Sequence, residues 1–111
     1  MAIVASPALM SPAWAHAGLV ESTPAKDAIV AAPRTIKLTF SEKISPTLSG
    51  FRLAMGDGMV VKTVNKLSAD GMTLTATPTD PFMAGKWTLS WHAVSTDDGH
   101  RTEGAFSFTV K

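Results

Sequence analysis

From Thr35 onward apolar and polar residues alternate in short runs. Ile36, Leu38 and Phe40 share one face of T-I-K-L-T-F, and Met72, Leu74 and Ala76 share one face of M-T-L-T-A-T. A period of two is the signature of a strand with one face against a core. Leu89, Trp91 and Ala93 alternate with Ser90, His92 and Val94, and Phe106, Phe108 and Val110 end the chain in the same rhythm. Pro33, Pro46, Pro78 and Pro81, with Gly50, Gly58, Gly71, Gly85 and Gly104, punctuate these runs at the spacing of a strand plus a turn. No segment carries a sustained helical period. The pattern predicts strands over 18–23, 35–41, 49–55, 59–67, 71–77, 85–94 and 103–111. Seven short strands suit an all-β, seven-stranded Greek-key β-sandwich. Trp87 and Trp91 fall on one face of the sixth strand by parity, so at least one anchors the core.

The first fifteen residues break this pattern. They contain no charged side chain, whereas every Lys, Arg, Asp and Glu lies at or beyond Glu21. The stretch is apolar and alanine-rich and ends in Ala13-Trp14-Ala15, the small-x-small pattern that signal peptidase cuts after. Residues 1–15 therefore read as a secretory signal peptide, and the mature domain as 16–111, beginning at His16. A signal normally opens with Lys or Arg, and none is present, which reads as a start truncated or assigned late. The alternative is an ordinary leader, since about 15 apolar residues are too few to span a bilayer. No other segment approaches transmembrane length.

Composition narrows the chemistry. The 111 residues suit one domain. Ten Lys and Arg against nine Asp and Glu give a formal net charge of +1, so no basic field invites nucleic acid or anionic lipid. Cysteine is absent, which removes disulfides and thiolates, so a metal here must take nitrogen, oxygen or thioether ligands. There is no serine-histidine-acid arrangement, phosphate loop or carboxylate pair.

Only three histidines occur. An amino-terminal His16 offers its free amine and its imidazole to one cation, half of a square-planar site. His100 closes Asp98-Gly99-His100; on extended chain Asp98 and His100 point the same way, and Gly99 lets the backbone bend toward an ion. Together they supply a carboxylate oxygen and a third nitrogen, a donor set preferred by Cu(II) in tetragonal geometry. Asp-Gly-His alone is also an ordinary turn with a solvated histidine. A site built from backbone amides and a histidine at the third mature position is excluded, because Gly18 stands there.

The mature chain resembles the CopC copper-resistance family in four motifs: H-A-G-L-V-E-S-T-P-A from His16, A-P-R-T-I-K-L-T-F-S-E to Glu42, W-H-A-V-S-T-D-D-G-H to His100, and G-A-F-S-F-T-V near the end. The resemblance implies an immunoglobulin-like or cupredoxin-like sandwich in the periplasm that binds one Cu(II) and is not an enzyme. By motif the ligands are His16, Asp98 and His100. Glu42, in F-S-E, matches a family carboxylate close to the copper that orients a ligand or the terminal amine; as a bare sequence feature it is equally a solvated strand-end residue. Asp97 is set aside because the D-G-H alignment selects Asp98. His92, opposite the Trp91 face, is expected at the surface. Some family members bind Cu(I) in a methionine-rich loop; Met55 and Met59 flank Gly-Asp-Gly without such a cluster, Met72 and Met83 read as packing residues, and no Cu(I) site is expected. The implied partner is an inner-membrane copper transporter of the CopD type, and the chain is expected to be a monomer that resists, buffers or delivers copper. Two other readings remain: an oxidative copper enzyme with a histidine brace, against which stand the absence of tyrosine, the short chain and the ligand spacing, and a metal-free secreted interaction sandwich.

Overall fold

The structure, a computed structural model, describes residues 17–111. The proposed leader 1–15 and His16 lie outside the described residues. Nine strands form two sheets: β1 (Leu19–Thr23), β2 (Ile29–Val30), β3 (Ile36–Phe40), β4 (Gly50–Met55), β5 (Val60–Val61), β6 (Thr63–Leu67), β7 (Thr73–Pro78), β8 (Gly85–Val94) and β9 (Arg101–Val110). One sheet has the order β1-β3-β7-β6 and the other β2-β9-β8-β4-β5. The described residues contain no helix, and hence none long and apolar enough to cross a membrane. The fold is the expected all-β sandwich.

The alternating runs form the core as their parity requires. Ile36, Leu38 and Phe40 of β3, Leu74 and Ala76 of β7, Trp87, Leu89 and Ala93 of β8, and Phe106, Phe108 and Val110 of β9 are all buried. Trp87 is fully enclosed and donates its indole N–H to the Met83 carbonyl at 2.9 Å, which removes the cost of burying that group. Trp91 lies half-buried on the same face and meets Phe40 of the other sheet edge-on, with ring centroids 5.5 Å apart. A groove of about 600 Å3 runs between β1 and β9 over Trp91, Gly104 and Phe106.

Three details differ from the sequence pattern. The run expected over 59–67 is divided at Lys62, whose carbonyl accepts both the backbone N–H and the hydroxyl of Thr79, so that β5 joins one sheet and β6 the other. The two-residue β2 pairs in parallel with the end of β9 and was not expected. The seven expected strands thus become nine. Met83 is 54% exposed and contributes its backbone carbonyl to Trp87, so it is not the packing residue the sequence suggested.

Candidate metal centre

Beyond Val94 the β8 pattern delivers Ser95 to the core side, where it is 1% exposed. Its backbone N–H donates to the His100 carbonyl at 3.0 Å, and its own carbonyl accepts from Gly99 N–H at 2.9 Å. These two bonds close the β8–β9 connection into a tight loop that carries Thr96, Asp97, Asp98, Gly99 and His100 outward. Gly99 sits at a φ of 70°, in the left-handed region that favours glycine. Asp98 Oδ1 accepts the His100 backbone N–H at 2.9 Å, so the two candidate ligands are coupled through the turn that holds them. Both are exposed, as a metal-accepting edge requires.

The segment after β3 lies alongside. Ser45 N–H donates to the Val94 carbonyl at 2.8 Å, Thr96 N–H to the Lys43 carbonyl at 3.1 Å, and Ile44 forms an antiparallel bridge with Ser95. Glu42 is half-buried and accepts the Ser95 hydroxyl at 2.9 Å. This places the sequence-selected carboxylate beside the loop of Asp98 and His100, through a serine that the motif reading did not single out. The available signal was parity: Trp87, Leu89, Trp91, Ala93 and Ser95 follow one another on the core face, and a polar side chain at such a position needs internal partners.

Where the described chain begins, Ala17 is fully buried and its carbonyl accepts the Thr102 hydroxyl. Gly18 N–H donates to Ser41 Oγ at 2.9 Å, and Ser41 N–H returns to the Gly18 carbonyl at 2.9 Å. The start of the described chain is therefore fastened to the residue two past His100 and to the residue before Glu42. His92 is elsewhere: it projects from the outer face of β8, where a Cβ built on Gly50 would meet its ring at 3.6 Å, and it is paired across the sheet with Glu103.

Chemically, Asp98 and His100 offer one carboxylate and one imidazole, a mixed oxygen and nitrogen pair that suits Cu(II). Among the described residues there is no group of three or more His, Cys, Asp or Glu side chains that could hold a metal ion.

Residues 19–111 match the family model of the CopC domain. Copper resistance protein C of Xanthomonas campestris pv. juglandis is 40% identical over 116 residues, an alignment spanning 98% of this chain and 91% of that protein. Among solved structures, PcoC, a methionine-rich copper resistance protein from Escherichia coli, superposes with a TM-score of 0.76 at 37% identity, covering 86% of this chain and 99% of that one. CopC from Methylosinus trichosporium OB3b gives 0.78 at 30% identity, covering 86% and 94%.

Proposed function

The chain belongs to the CopC family, and on that premise we propose that it binds one Cu(II) in the periplasm through the amine and imidazole of a processed His16, the carboxylate of Asp98 and the imidazole of His100. The family carries a copper-resistance role. The function proposed for this chain is non-enzymatic: buffering copper, or handing it to an inner-membrane transporter of the CopD type, as a monomer.

The supporting observation is the anchoring of Ala17 to Thr102 and of Gly18 to Ser41. Thr102 lies two residues past His100 and Ser41 one before Glu42, and the residue that precedes this anchored start in the sequence is His16. Two donors from that residue and one each from Asp98 and His100 make the four equatorial positions of a tetragonal ion. A terminal amine and two imidazoles must shed their protons to ligate, so binding weakens on acidification. Glu42, which accepts the Ser95 hydroxyl of the same loop, would hold the terminal amine or a ligand imidazole in orientation without replacing a donor.

Native intact mass of the secreted protein, with and without Cu(II), tests cleavage and stoichiometry together. The expected species begins at His16 and gains one copper, with a nitrogen-rich tetragonal paramagnetic spectrum and weak colour. A retained leader, two coppers of equal affinity or an intense blue band would contradict the proposal.

A further inference from the structure

Ser95 uses every polar group it has, and each bond closes part of the loop. Its backbone N–H and carbonyl hold His100 and Gly99, while its hydroxyl donates to Glu42 Oε1 and accepts the Asp97 N–H at 3.2 Å. A serine hydroxyl has one proton to give. Because that proton goes to Glu42, the Asp97 amide must be met by an oxygen lone pair, and the two bonds orient each other. The hydroxyl is thus a two-way joint, set in a site only 1% exposed, between a carboxylate after β3 and the loop that bears Asp98 and His100.

We propose that Ser95 is a positioning residue for the metal centre: its hydroxyl fixes the Glu42 carboxylate and the Asp97 amide in one arrangement, so copper affinity depends on a side chain that does not touch the ion. This rests on the metal-centre reading above. Removing the hydroxyl frees the carboxylate to rotate and leaves the Asp97 N–H without its acceptor, loosening the turn at the point where Asp98 begins.

The test is a double-mutant cycle in Cu(II) affinity on the mature chain, using Ser95→Ala, Glu42→Ala and the pair, with Ser95→Thr as rescue and His100→Ala as control. Ser95→Ala is expected to weaken binding by about tenfold and to shift the copper paramagnetic spectrum toward that of Glu42→Ala, an effect of the size known for groups that support a ligand. Ser95→Thr, which keeps the hydroxyl, should stay within about threefold of wild type, and the double variant should lose little beyond Glu42→Ala alone, since coupled groups are non-additive. A purely structural role would lower the melting temperature of every copper-free variant without this non-additivity. Additive losses, or a Ser95→Ala protein that binds as wild type while His100→Ala does not, overturn the proposal alone. An unchanged His100→Ala overturns the metal-centre reading itself. If Ser95→Ala does not fold, amide exchange decides: in Glu42→Ala the Asp97 amide should exchange at least about tenfold faster as the hydroxyl turns free, and unchanged exchange overturns the proposal.

Discussion

At the scale of single residues, the proposed centre divides into side chains that would give electrons to the ion and side chains that would arrange them. His100→Ala removes an imidazole donor and is expected to cost the most Cu(II) affinity, with Asp98→Ala intermediate because a carboxylate oxygen is the weaker donor. Asp97→Ala should cost little, since its backbone N–H, not its side chain, takes part in the loop. His92→Ala should cost little as well, because that ring lies over Gly50 on the outer face of β8. Glu42→Gln is expected to weaken binding by about tenfold to a hundredfold. Competition titrations against one chelator rank all five; a His92→Ala loss equal to that of His100→Ala would refute the ligand set. Asp98, His100 and Glu42 were legible because they stand in short motifs. Parity puts Ser95 on the core face, but nothing local names the partners of the Ser95 and Thr102 hydroxyls, which lie 53 and 85 positions away.

At the scale of elements, the strand pattern was readable where one face is buried and hidden where it is not. β3, β8 and β9 alternate cleanly because each packs its odd or even side on the core. Val60 to Val64 is an unbroken run of strand formers apart from Lys62, so the change of sheet there leaves no mark in the pattern. Ile29 and Val30 are too few to show a period at all. Pairing between β8 and β9 also explains a glycine: a Cβ on Gly104 would stand 2.8 Å from Trp91 Cζ2 and 3.1 Å from its Nε1. The ring cannot retreat freely, because its edge already meets Phe40 of the opposite sheet. Gly104→Ala is therefore expected to destabilise the copper-free protein by about 1–3 kcal/mol, the usual cost of overpacking. Thermal unfolding, followed by tryptophan fluorescence, checks this; an unchanged melting temperature would mean that the groove beside β1 yields at no cost.

At the scale of the molecule, the sandwich gathers three stretches that are remote in sequence at one end. Residues 17–18, residues 41–45 after β3 and the loop of 95–100 between β8 and β9 are stitched to one another by hydrogen bonds, directly or through Thr102. Three of the four motifs that carried the family resemblance contribute to these stretches, so the candidate residues stood in the sequence while their proximity comes from the sheets. In the proposed centre one donor, the terminal amine, exists only after proteolysis. In the precursor the His16 nitrogen is an amide, whose lone pair is delocalised into the peptide bond and cannot serve as an amine donor. A single extra methionine before His16 preserves the fold, the imidazole, Asp98 and His100, but moves the free amine by one residue. Titration of this form and the authentic one against a competing chelator at equal pH is the decisive measurement. The extended protein should melt as the authentic one does without metal, bind Cu(II) about tenfold more weakly or worse, and gain correspondingly less thermal stability from it; equal affinities would remove the terminal amine from the site and contradict the account.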